Sequence, residues 1–123
     1  MLQPRSIIQS ADNSGAKKLG VIKVLGGYKK RYARIGDIVT CSVKEATPRS
    51  GVKQGQVVHC VIVRTRKELK RPSGICIRFD ENAGIIIDKN NKELKATRVF
   101  GPIPKELKDL GYKKIISLAP EVL

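Results

Sequence analysis

A chain of 123 residues is one domain by length, and with 41% hydrophobic residues it can bury about two-thirds of the surface its unfolded form exposes. Its 25 Lys and Arg against 11 Asp and Glu leave a net charge of +14, which argues for an anionic partner. No apolar run approaches the roughly 20 residues of a membrane span and no basic-then-apolar signal segment opens at Met1, so no membrane role is expected.

The charge is unevenly placed. Residues 1–78 carry 17 basic and 4 acidic side chains, net +13, and residues 79–123 carry 8 and 7, net +1. A basic face and a nearly neutral remainder are expected. Nucleic-acid phosphate fits the basic face, whereas an acidic membrane surface calls for an amphipathic basic helix, and the basic segments here read as strands and turns.

In chain order, apolar strand-like runs occur at residues 6–9, 20–25, 37–43, 57–64, 75–79 and 83–87. Turn signals separate them at Asp12-Asn13-Ser14-Gly15, Gly26-Gly27, Thr47-Pro48-Arg49-Ser50-Gly51, Pro72-Ser73-Gly74 and Asp88-Lys89-Asn90-Asn91. Short β-branched strands punctuated in this way predict a mainly β fold, a small barrel or sandwich. Val61-Ile62-Val63 and Ile85-Ile86-Ile87 do not alternate, so both faces of those strands are expected to be covered. The pattern G-x-[IV]-V-x-C-x-[VI] occurs at residues 36–43 and again at 55–62, and it reads as two strands that each follow a tight glycine turn into one core.

After the second strand-like run, and leading into the third, comes GGYKKRYARIGDIV, residues 26–39. Its glycines permit close approach to a sugar–phosphate backbone, and Lys29, Lys30, Arg31 and Arg34 supply counter-charge. Tyr32 is read either as a core anchor or as a ring for a base, with Tyr28 the other ring in basic surroundings. Further on, residues 64–78 read as a hairpin closed by 72–74, its tip carrying Arg66, Lys67, Lys70 and Arg71 against Glu68. Such a ribbon either reaches into a nucleic-acid groove or protects an exposed edge. In the last quarter, residues 102–111 predict a short helix with Leu107 and Leu110 on one face, and 112–119 a second, stopped by Pro120. This neutral segment is expected to contact protein more than phosphate. The chain is thus read as a single domain: barrel and ribbon over 1–100, a short helical segment over 101–123.

Little points to catalysis. Cys41, Cys60 and Cys76 form no C-x-x-C pair and read as small buried hydrophobes in a reducing compartment. His59 and Cys60 are neighbours on a strand, so they face opposite ways and cannot share a proton. No metal-ligand spacing and no cofactor motif occurs, so neither an enzyme nor a cofactor is expected. With only five aromatic rings the chain lacks a stacking platform for single strands, and contact with the backbone of folded RNA is the better fit. The residues expected at RNA are Lys17, Lys23, Lys29, Lys30, Arg31, Arg34, Lys44, Arg49, Lys53, Arg66, Lys67, Lys70, Arg71 and Arg78. Asp12 and Asn13 are expected to order a turn. Two competing readings are a free nucleic-acid-binding module with strongly salt-sensitive affinity and, with less behind it, an enzyme built around His59 and Cys60.

Several long motifs carry a resemblance: Ala11-Asp12-Asn13-Ser14-Gly15-Ala16-Lys17, Lys23-Val24-Leu25-Gly26-Gly27, Val43-Lys44-Glu45-Ala46, Ile77-Arg78-Phe79-Asp80-Glu81-Asn82-Ala83, Phe100-Gly101-Pro102 and Ser117-Leu118-Ala119-Pro120-Glu121-Val122-Leu123. In this order, and almost from end to end, the chain resembles the bacterial-type members of the large-subunit ribosomal protein fourteen family. The resemblance implies a five-stranded β-barrel with a projecting β-ribbon and two small C-terminal helices. It implies a non-enzymatic protein of the ribosome, bacterial or organellar in type. Its implied partners are large-subunit rRNA, large-subunit ribosomal proteins three and nineteen, small-subunit rRNA at an inter-subunit bridge, and a ribosome-silencing factor. The factor's contact would fall on Thr97, Arg98 and Lys114.

Overall fold

Residues 2–27, 31–48, 52–88 and 93–123 are described by the computed structural model of the chain. The elements are β1 (Ile7–Ser10), β2 (Ala16–Val24), β3 (Ile38–Ala46), β4 (Val57–Arg64), β5 (Leu69–Lys70), β6 (Cys76–Ile77) and β7 (Ala83–Ile87). They are followed by β8 (Pro102–Ile103), α1 (Glu106–Asp109), α2 (Lys113–Leu118) and β9 (Glu121–Val122). Five strands close into a barrel in the order β1-β2-β3-β4-β7, while β5-β6 and β8-β9 form separate two-stranded sheets. The barrel pairs are antiparallel except at the seam, where β1 meets β7 in parallel through Gln9–Ala83 and Ser10–Gly84.

Two apolar clusters follow from side-chain alternation. Leu19, Val21, Val39, Cys41, Val43, Val58, Cys60, Ile62 and Ile86 belong to the cluster that fills the barrel. The other residues of the same strands, Val61, Val63, Ile85 and Ile87, form a second cluster with Val99, Ile103, Leu107, Tyr112 and Ile115. The non-alternating runs are therefore explained: one face of β4 and β7 looks into the barrel and the other is roofed by the C-terminal segment. Leu107 and Ile115 are completely buried, worth roughly 1.5–3 kcal/mol each. Helices of four and six residues do not stand alone in water, so this packing holds them. The paired G-x-[IV]-V-x-C-x-[VI] segments become adjacent β3 and β4, each entered from a glycine at positive φ, Gly36 at 89° and Gly55 at 87°.

The structure corrects several boundaries. Residues 20–25 mark only part of β2, which begins at Ala16. Register shifts between Ala16 and Leu19 put Lys17 and Lys18 on the surface in succession, and that breaks the period-two signal. The expected strand over residues 75–79 shrinks to Cys76–Ile77, and Cys76 is exposed, not buried. Cys76 lies in a two-stranded sheet separate from the barrel, on the side of that sheet that faces solvent. The expected helix over 102–111 is a single turn, because Pro102 and Ile103 instead pair in parallel with Glu121 and Val122. Leu110 is half-exposed, unlike Leu107.

Candidate nucleic-acid interface

The barrel contributes a lysine-bearing face. Lys17, Lys18, Lys23 and Lys44 are all exposed on β2 and β3. The stem of Lys44 lies across Gly20, where a Cβ would come within 2.7 Å of Lys44 Cε, so the missing side chain lets the lysine lie flat along the strand. Lys18 stands 3.8 Å from Glu45 with both side chains more than half exposed, a contact worth little in water. Lys53 is exposed beside a turn held by its N–H, which donates to Gln56 Oε1 at 3.1 Å. Arg31 and Tyr32 are exposed, Tyr32 at 47%, which removes the core-anchor reading of that ring. Tyr28, Lys29, Lys30 and Arg49 lie outside the described residues.

The ribbon contributes the second group. Arg66, Lys67, Lys70 and Arg78 are exposed. Arg66 is braced, its Nε donating to the Asp80 carbonyl at 2.9 Å and its backbone N–H to Asn82 Oδ1 at 2.8 Å. A groove of about 320 Å³ between the ribbon and the turn before β3 brings Arg34, Lys67 and Lys70 together around Ile35 and Leu69.

Arg71 differs from its neighbours. Its Nε donates to Glu106 Oε1 at 2.5 Å, and Nη2 donates to Glu106 Oε2 at 3.2 Å and to the Leu123 carbonyl at 2.5 Å. The guanidinium thus latches the ribbon to α1 and to the end of β9. Burial pushes the Glu106 carboxyl up, but the Arg71 hydrogen bond and charge outweigh it and hold the group below its ordinary value. A carboxyl depressed in the folded state adds stability above its unfolded value, and that stability is lost as pH falls through the folded value. Wild type is therefore expected to exceed Glu106→Gln by about 1 kcal/mol at neutral pH. In urea titrations at a series of pH values the two curves converge below the carboxylate range; a gap that stays constant with pH rules out the latch as an ion pair.

On the opposite side of the charge split, Asn13 organises residues 97–98. Its Oδ1 accepts from the N–H groups of Thr97 (2.9 Å) and Arg98 (3.0 Å), and its Nδ2 donates to Thr97 Oγ1 at 2.9 Å. Thr97 and Arg98 are exposed, as is Lys114 on α2. Their elements flank the same outer cluster through Val99 and Ile115. Half-exposed Phe100, Leu110, Val122 and Leu123 add apolar surface to this segment.

Two polar residues that the sequence reading passed over or underweighted hold these parts in place. Arg64 ends β4 with its side chain 6% exposed, and it ties the 100–102 segment to Glu81. The available signal was an arginine closing a strand that is otherwise apolar but for His59. Asp12, expected to order a turn, does so by accepting from Ser14 N–H and Oγ at 3.2 and 2.6 Å, but it also accepts from Ile86 N–H across the barrel seam at 3.0 Å. His59 and Cys60 do face apart: Cys60 sits in the barrel, its thiol raised by a hydrogen bond with Cys41 and by burial, while His59 Nδ1 lies 3.3 Å from Thr40 Oγ1. Among the described residues no cluster of His, Cys, Asp or Glu could hold a metal ion. A protein-family model described as Ribosomal protein L14p/L23e matches residues 1–123, the full length of the chain.

Proposed function

The chain belongs to the ribosomal protein L14p/L23e family, structural, rRNA-binding constituents of the large ribosomal subunit and not enzymes, and from that premise we propose how its two faces divide the work. Lys17, Lys23 and Lys44 on the barrel, Arg31, Arg34 and Lys53 in the turns, and Arg66, Lys67, Lys70 and Arg78 around the ribbon meet rRNA phosphates. Lys29, Lys30 and Arg49 extend the same net +13 region. A rigid barrel presents these cations at fixed spacing, so they position the RNA and do not read its bases. Arg71 acts from behind, holding the ribbon.

The C-terminal face meets proteins. Thr97, Arg98 and Lys114 form the docking surface of a ribosome-silencing factor, and the adjacent surface meets large-subunit proteins three and nineteen and the inter-subunit bridge to small-subunit rRNA. The ribosome is of bacterial or organellar type. What supports this division is the charge split along the chain, net +13 over residues 1–78 against net +1 over 79–123, together with the hold of Asn13 on residues 97–98 and the exposed apolar side chains of the C-terminal segment.

Large subunits bearing Arg98→Glu and Lys114→Glu test it. The variant chain is expected to stay with the subunit through a high-salt sucrose gradient while silencing-factor binding drops roughly tenfold or more, as for charges lost from an interface. Unchanged factor binding removes the protein-facing assignment. Release of the chain as salt rises removes the RNA grip and leaves a free phosphate-binding module.

A further inference from the structure

We propose that the groove between the ribbon and the turn before β3 holds a single unstacked nucleotide of the large-subunit rRNA, which rests on the RNA-binding reading and gives one part of it a ligand. The groove measures about 320 Å³, at the low end of small-ligand sites of roughly 300–1,000 Å³. That space suits one base with its ribose and is too small for a duplex. Its composition is that of a nucleotide's complement. Ile35 and Leu69, each half-buried, offer an apolar wall to a base; Arg34 adds a planar guanidinium of the kind on which splayed-out bases stack. Lys67 and Lys70 flank the same space with mobile positive charge for the phosphates on either side.

The walls are fixed before anything binds. Thr65 Oγ1 donates to the Lys67 carbonyl at 2.9 Å, and Asp37 Oδ2 accepts from the Arg34 N–H at 2.8 Å. The Arg71 latch holds the next residue of the ribbon. Among the described residues no ion pair engages Arg34, Lys67 or Lys70, so their charge is available. Among the described residues that line the groove, Glu68 is the one acid. It opposes phosphate at its own position and accepts from a base that carries an exocyclic amine, so a base of that kind is favoured over uracil.

Large subunits isolated from cells grown on photo-leucine, whose diazirine replaces leucine with little change of shape, provide the test. After irradiation, nuclease and protease digestion, mass spectrometry is expected to find a nucleotide from one rRNA position attached at Leu69. Chemical probing of subunits carrying Lys67→Ala with Lys70→Ala, or Arg34→Lys, is expected to show that same nucleotide roughly five-fold or more reactive, the scale of one lost stacking contact. Arg34→Lys keeps the charge and loses the plane, so a merely electrostatic role leaves the reactivity unchanged in that variant. A protein adduct at Leu69 overturns the proposal in favour of a protein occupant. Absence of any Leu69 adduct together with unaltered reactivity in both variants overturns it in favour of an empty groove, with RNA binding intact if the chain still sediments with the subunit. Loss of the chain from the subunit is a failure of the RNA-binding reading instead.

Discussion

Arg64→Ala is expected to lower the unfolding free energy by about 3–5 kcal/mol, the sum of three lost hydrogen bonds from a charged donor and of the acceptors left without a partner. The side chain is 6% exposed and joins three segments. Nη1 donates to the carbonyls of Phe100 at 2.7 Å and Pro102 at 3.3 Å, and Nη2 donates to Glu81 Oε1 at 2.8 Å. Truncation to alanine strands two carbonyls and a carboxylate at once. It also removes the tie between the last residue of β4 and the strand β8 that anchors the C-terminal roof. Against a total stability of about 5–15 kcal/mol, such a loss is a large share, and it translates to a fall of roughly 10–20 °C in Tm for a domain of this size. Glu81→Gln separates the charge from the scaffold: Glu81 is 36% exposed, so its loss is expected to cost no more than about 1 kcal/mol. Gly101→Ala attacks the same junction from the other side. Gly101 has φ 78°, and a Cβ there would collide with the Arg64 guanidinium, so two costs coincide. Thermal unfolding followed by circular dichroism orders the three variants. An Arg64→Ala protein as stable as wild type would falsify the network's structural role.

Local pattern made the barrel legible, and distance in sequence hid what fastens it. Short strands with glycine turns between them announce a closed or sandwiched sheet, and unbroken apolar runs at 61–63 and 85–87 correctly demand a cover on their second face. What supplies the cover is written in the 102–118 stretch, but half of the device that fixes it is not local. The β8–β9 pair involves two residues from each side, too short to leave a period. Arg71 reads as one more cation on a basic hairpin until its partner, 35 residues away, is seen to occupy it. Cys76 reads as buried because its neighbours are apolar; burial depends on which side of the two-stranded sheet is covered, and Cys76 lies on the side that faces solvent. The exposed cations of the barrel and ribbon were legible as a charge excess over residues 1–78. Their gathering of Arg34 with Lys67 and Lys70 into one groove was not, since it depends on where the turn before β3 meets the ribbon.

Asp12 makes the same point with a comparable energetic consequence. Past Ser10 the chain leaves its parallel partner: Ala11 N–H still donates to the Gly84 carbonyl at 2.9 Å, but the Asp12 backbone turns to bridge Val99. The next donor along β7, Ile86 N–H, would then be buried without an acceptor. Asp12 Oδ2 takes it at 3.0 Å, while Oδ1 accepts from Ser10 Oγ at 2.7 Å and from both Ser14 groups. One carboxylate thus replaces a missing strand neighbour at the barrel seam and orders the turn that carries Asn13. Asp12→Ala is expected to cost about 3–5 kcal/mol, the sum of several lost hydrogen bonds to a charged acceptor and of donors left buried. Asp12→Asn is expected to cost nearly as much despite its similar shape. An amide offers one acceptor oxygen and turns an N–H pair toward groups that are themselves donors. Hydrogen exchange reads this directly: the Ile86 amide, slow in wild type, exchanges faster in both variants by the factor that the local loss dictates. Because Asn13 is adjacent, the N–H groups of Thr97 and Arg98 lose protection in step with Ile86, which links the barrel seam to the 97–98 segment. If Ile86 loosens while residues 97–98 stay protected, the seam and that segment are independent, and Asn13 alone holds residues 97–98.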